Sequence, residues 1–369
     1  MPHPPSDPSA NEKSALQKLA GVDYAGAATL VGLSLIYLIW VTWYLSRLTI
    51  QLQTVAIFLF LYSLSTPKIE LVPLFLSLLI FPLFLYIESS PRYAPTPILP
   101  LSILSHQGIL LSCLSQLAFM AARWSLLFYS PVWALAVRGA SPAAAGSVLI
   151  PTNLGFGSGG LIIGWLHVRR GGSFWLPCIV TLTIFGAALF ALSFVTAASV
   201  SAVAYLAVIF VHGLCTGAAL NYTLAHLLHL SDPDTHFIVT GLLSTFRGFA
   251  GSFGTSIGGG IFNRTLRRFL VNGFASLGGG LTDVREKLII VLVGSPAAVH
   301  RAGFLTDAER EVAVTGYETA LRTLYQAAAA LCVVVLFLQA GTGWSGTVGD
   351  EEGEEIEEAM EEHNPLMEA

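Results

Sequence analysis

Charge is scarce in this sequence. Asp, Glu, Lys and Arg make up 11% of its 369 residues, where a soluble globular domain carries roughly 25%. Apolar residues reach 54% and the mean hydropathy is +0.69, so a soluble enzyme or a nucleic-acid binder is excluded and a membrane protein is indicated. Cysteine is equally sparse. Cys113, Cys178, Cys215 and Cys332 each sit in an apolar run with no paired spacing and no nearby His, which argues against a disulfide framework or a zinc site and for four buried small hydrophobes. Carboxylates are missing where they would matter most: beyond Glu88, the only one inside an expected span is Glu318. A proton relay or cation site inside a membrane normally needs a buried acid or a titrating His, and this stretch offers only His212 and His226. Neither a GxxxxGK[ST] phosphate loop nor a strand-turn-helix context for one occurs, so nothing in this chain would drive a pump with ATP. Paired buried carboxylates, metal-ligand spacing and an activated Ser or Cys are also lacking, so no enzymatic activity is expected and no cofactor is implied.

What the sequence has is a series of apolar runs near the roughly 20 residues that cross a bilayer. Eight spans are expected, at 24–45, 69–87, 107–134, 143–168, 174–195, 200–228, 237–262 and 317–338. The fold class is therefore an all-α, polytopic membrane bundle. The run 54–65 is short for a core of about 30 Å and reads as interfacial or packed against a neighbour; a ninth crossing there would invert the N-terminal segment. Residues 1–22, polar and proline-rich, read as a disordered cytoplasmic N-terminus and not as a cleaved signal. Residues 23–104 form a helix pair with its connections, and 105–341 a six-helix bundle. Residues 342–369 are a disordered acidic tail: from Asp350 to Ala369 there are 10 acids and no Lys or Arg, so the net charge of -5 hides a body carrying +5.

Basic residues in short loops mark the cytoplasmic side. His167, Arg169 and Arg170 make the densest such loop, which places it and the Asp232 and Asp234 loop inside. The 138–142 loop and a long loop at 263–316 then fall outside. Seven bases in that long loop oppose the rule, though loops near 50 residues are weakly constrained by it. Asn263, Arg264 and Thr265 form a glycosylation sequon against the membrane. Thr306 followed by Glu309 is a capping box for the helix entering the last span.

Two arginines lie deep in spans. Arg123 is near the middle of 107–134 and Arg247 near the middle of 237–262; a retained intramembrane charge faces protein or a water-filled cavity. Bracing of two helices and lining of a translocation cavity are both open to each. Gln116, Asn153, His212, Asn221 and His226 are weaker candidates, because single polar groups often serve as packing glue. Gly155 with Gly159, Gly160 with Gly164, and Gly254 with Gly258 are GxxxG pairs that permit close, slidable helix contact.

A resemblance joins several of these residues. The run Phe128 to Pro131, then Arg138 to Pro142, Gly146, and Leu149 to Pro151 resembles the first helix pair of the C-terminal half of fungal major facilitator superfamily transporters. The similarity is greatest to the fourteen-span drug:proton antiporter group, which includes vacuolar basic amino acid transporters. Gly164, Leu166, Arg169 and Gly171 resemble that superfamily's cytoplasmic loop motif, with Val168 in place of its Asp. His236, Val239, Thr240, Phe246 to Gly248 and Gly258 to Phe262 resemble the corresponding later helix, and Asp23 to Gly26 the opening of the group's two-helix linker. The resemblance implies half of a major facilitator fold, two linker spans and six C-terminal spans, with the N-terminal six missing, whether through a truncated gene or in a genuine half protein. It also implies a small-molecule substrate and coupled protons, with no nucleic-acid partner, and a cavity bordered by Gln116, Arg123, Asn153, His212 and above all Arg247. A basic amino acid fits poorly, since both arginines would repel it; a drug-like or anionic substrate fits this half at least as well. Glu362, Leu366 and Met367 resemble an acidic dileucine signal for vacuole-like compartments. A non-transporting relic, or a partner of another transporter, is the alternative.

Overall fold

A computed structural model describes residues 48–89, 101–168, 173–278 and 280–343. The expected N-terminal segment and first span, the loop residues Arg169 and Gly171, and the acidic tail with Glu362, Leu366 and Met367 lie outside the described residues. Within them the chain is an all-α bundle. Its helices are α1 (Leu48–Ser65), α2 (Leu71–Glu88), α3 (Gln107–Ala136), α4 (Pro142–Leu166, broken at Val148), α5 (Trp175–Val195), α6 (Ala202–His229), α7 (His236–Ser276), α8 (Asp283–Gly294) and α9 (Asp307–Ala340). Six of these, α2 to α6 and α9, are long and apolar enough to cross a membrane, which makes this a multi-pass membrane protein. α7 has ample length, but its glycines, hydroxyl residues and Arg247 hold down its hydropathy.

The helices pack in a definite order. α4 lies along α6, α6 and α9 each lie along α5, and α3 and α7 both lie against α9 and against each other. α3 meets α6 and α4 only sparingly. Glycine sets two of the closest contacts. Along α4 and α6, which run parallel, a Cβ at Gly155, Gly159, Gly213 or Gly217 would stand 2.1–2.2 Å from a backbone oxygen of the facing helix. Only a residue without Cβ allows backbones this near. On α7, a Cβ at Gly254 would meet the Ala121 carbonyl at 2.2 Å and one at Gly258 the Ser125 hydroxyl at 2.7 Å; Ser125 Oγ donates to the Gly254 carbonyl at 2.8 Å. The Gly160 and Gly164 pair instead faces the side chain of Asn221. All four cysteines are buried and unpaired.

α1 resolves the ambiguous run. It is 18 residues long, about 27 Å, and packs against α2 and α7. Arg264 of α7 donates to the Leu64 and Thr66 carbonyls at 2.7 and 3.1 Å, satisfying the open end of α1.

The long loop expected at 263–316 is corrected: it is largely helical. α7 continues unbroken to Ser276, because Phe262, Leu266, Leu270 and Phe274, at four-residue spacing, are all buried and carry the apolar stripe past the membrane segment. The sequon at Asn263 consequently sits inside a helix. Arg285 donates to the carbonyls of Phe274, Leu277 and Gly280, capping α7. The Tyr317 hydroxyl donates to the Leu292 carbonyl and anchors α8. The capping box forms as expected: Thr306 accepts from the Glu309 N–H and Glu309 from the Thr306 N–H. α9 then spans 34 residues, about 51 Å, so its first turns, with Glu309, project beyond a core of about 30 Å. Burial pushes the Glu309 carboxyl up, but the donors of Thr306 and the Arg285 guanidinium outweigh it and hold the group below its ordinary value.

Candidate functional site

Between α3, α4 and α6 lies a group of polar side chains that the surrounding apolar packing removes from solvent. On α3, Gln116, Phe119 and Arg123 share one face by their three- and four-residue spacing. Arg123 is 4% exposed and Gln116 is fully buried. Phe156 of α4 covers the guanidinium, whose carbon stands 4.6 Å from the ring centroid. Such a contact supplies ring quadrupole and no negative charge. Thr152 lies one turn before Phe156, fully buried, its carbonyl pressed against Gly213 of α6. Beside Gly213 is His212, also fully buried. Its ring lies 4.4 Å from that of Phe185 on α5, which meets Phe119 edge-on at 5.7 Å.

Several polar atoms in this group have no hydrogen-bond partner among the described residues: Gln116 Nε2, Arg123 Nη1, Thr152 Oγ1 and both ring nitrogens of His212. The Thr223 hydroxyl lies 3.2 Å from Gln116 Oε1 but is closer, at 2.7 Å, to the Ala219 carbonyl. Either way round, the Gln116 amide keeps an unused donor or acceptor. Buried polar groups are overwhelmingly hydrogen-bonded, and leaving one unmade costs about 1–3 kcal/mol. Their concentration on three facing helices marks this interior as a place built for polar contact, not for packing alone.

The five residues singled out from the sequence therefore part company. Gln116, Arg123 and His212 converge inside the bundle. Asn153, next to Thr152, is exposed on the other side of α4, and Arg247 is exposed on α7. Around Arg247, Gly241, Ser244, Thr245, Gly248 and Ser252 are exposed too, and a Cβ at Gly241 or Gly248 would meet nothing within 4 Å. This outward strip is small and polar, where the exposed surfaces of α2, α4 and α5 carry Phe75, Leu79, Leu154, Leu161, Trp165, Leu176 and Phe190.

Two of the weaker candidates take structural roles. Asn221 donates to the Gly160 carbonyl at 2.9 Å, tying α6 to α4. His226 shares a 2.9 Å hydrogen bond with Thr342 beyond the end of α9. Gly164, from the loop motif, packs against Asn221. Nothing in the sequence distinguishes Thr152 or Phe156 from packing residues; Gly213 and Gly217 form a further GxxxG pair that was not among those singled out from the sequence. Among the described residues no group of three or more His, Cys, Asp or Glu could hold a metal ion. No protein-family model matches the chain, and no curated protein is detectably similar to it.

Proposed function

We propose that this protein is a secondary transporter of the major facilitator type, moving a small molecule past the polar interior formed by α3, α4 and α6. The observation that carries the reading is the set of unpartnered polar atoms on Gln116, Arg123, Thr152 and His212, in the interior of helices long and apolar enough to cross a membrane. Intramembrane polar groups retained without structural partners point to a functional site such as a translocation path. The glycine contacts of α4 with α6 and of α7 with α3 support it, since backbones in direct contact can shift without repacking large side chains. Proton coupling, and residence in a vacuolar membrane through Glu362, Leu366 and Met367, follow from the resemblance and form part of the proposal.

A second reading is favoured by the exposed strip of α7. A guanidinium and a row of Gly, Ser and Thr are costly against lipid, so this strip suits a water-filled cleft or a second helical bundle. Here the chain serves as a partner that moves nothing alone. The experiment that separates the two is uptake into vesicles containing the purified full chain. Uptake by the chain alone, abolished in Arg123→Gln with folding and membrane insertion intact, is the transporter's outcome. Uptake that arises only on co-reconstitution with another six-span bundle, and is lost in Arg247→Ala, is the partner's, and uptake by the chain alone that is undiminished in Arg123→Gln removes the α3, α4 and α6 interior from the path.

A further inference from the structure

Among the described residues no acid forms an ion pair with Arg123. No Asp or Glu occurs from Ser89 to Ser231, nor again from Thr235 to Thr282. On the apolar part of α9 the sole acid, Glu318, accepts from the Ala198 N–H at 2.5 Å at the end of the bundle. Arg123 lies 16 residues beyond the start of α3, about 24 Å along the axis, which puts it far from either headgroup layer. A buried charge persists only when paired or hydrogen-bonded, and Phe156, the group that covers this one, is neutral. Phe156 gives its ring face to the guanidinium carbon, and Arg123 Nη1 stays buried without a hydrogen-bond partner. In the same interior Gln116, Thr152 and His212 offer N–H and O–H donors in addition to acceptors.

We propose that this interior binds a small organic anion, with a carboxylate set against the edge of Arg123 and its remaining lone pairs meeting Gln116, Thr152 or His212. Planar carboxylate and guanidinium match in a two-point contact. A cation would be repelled, and a neutral solute would leave the guanidinium uncompensated. The assignment rests on the transport reading and narrows its substrate class.

The full chain, reconstituted in vesicles, is assayed for uptake of labelled benzoate, acetate and L-lysine; in detergent its melting temperature is followed with sodium benzoate against sodium chloride at equal ionic strength. Benzoate is expected to enter, in competition with acetate, and to raise the melting temperature by a few degrees more than chloride does, as a ligand of the native state must. Arg123→Gln is expected to lower benzoate uptake by about tenfold or more and to erase the benzoate shift. Arg123→Lys, which keeps the charge and loses the two-point geometry, is expected to retain part of both. Should Arg123→Gln fail to fold, the lysine variant and the benzoate-against-chloride comparison in the unaltered chain still decide. Uptake of lysine without benzoate overturns the anion assignment and leaves transport standing. A benzoate shift lost in the Arg123 variants, with no solute moved, upholds the anion site and overturns transport. Equal shifts from chloride and benzoate overturn the carboxylate assignment, and absence of both shift and uptake overturns both proposals.

Discussion

Gly217→Ala is the sharpest probe of how the interior is held together. A Cβ at this position would stand 2.1 Å from the Phe156 carbonyl oxygen and 2.6 Å from the Gly160 nitrogen. Ordinary contact begins at 3.4 Å, so α4 and α6 would have to separate by about 1.3 Å, and neither obstacle is a flexible side chain. Forcing a methyl into a packed interface costs about 1–3 kcal/mol. Against this, alanine gains about 1 kcal/mol over glycine in helix propensity, leaving a net loss of about 1–2 kcal/mol at the upper part of the range. Gly157→Ala is the matched control: it lies on the same helix as Phe156 with nothing within 4 Å of its Cβ, so only the propensity gain applies. Thermal denaturation in detergent should place Gly217→Ala below the unaltered protein and Gly157→Ala level with it or above. Because the shifted residue is Phe156, which lies over Arg123, the same substitution should reduce any benzoate-dependent rise in melting temperature. Gly217→Ala melting at or above Gly157→Ala would refute the close backbone contact and, with it, the placement of Phe156.

Two further expectations concern groups away from that contact. The Tyr205 and Tyr325 hydroxyls share a 2.7 Å hydrogen bond in full burial, where Ser130 is also within reach; Tyr205→Phe and Tyr325→Phe should each cost about 1 kcal/mol, and the double variant should cost less than their sum in a denaturation cycle, whereas strict additivity would show that the hydroxyls do not interact. Glu309, held below its ordinary value in the folded chain, contributes stability that is present above the unfolded carboxylate value of about 4.3 and is lost as pH falls through the lower folded one. Proteolysis of the segment joining α7 to α9 should therefore accelerate on acidification in that interval for the unaltered chain, and Glu309→Gln should be more labile at neutral pH and insensitive to the same change; parallel pH profiles would count against the Arg285 and Glu309 pairing.

Much of the bundle was legible in the residues because a bilayer imposes a simple demand: backbone groups must be satisfied within each segment, so long apolar runs become helices. That demand alone delimits α2 to α6 and the far end of α9 to within a few residues, while the start of α9, ten residues before the expected span, is marked by local hydrogen-bonding chemistry through the capping box at Thr306 and Glu309. The same logic failed at 263–316, where falling hydropathy suggested a loop. Leu266, Leu270 and Phe274 prolong α7 by burying one stripe against α9, and a stripe of three residues in a charged stretch is weak evidence until its partner is known. The interior site divides along the same line. Depth in a span follows from counting residues, so Arg123 and Arg247 could both be marked as central. Which way each points depends on rotation about the helix axis, set by the neighbours α7 and α3 acquire through Gly254, Gly258 and Ser125. That packing turned Arg123 inward beneath Phe156 and Arg247 out, and brought Thr152 and His212, 60 residues apart in sequence, to the same interior because Gly213 lets α6 press directly on the backbone of α4.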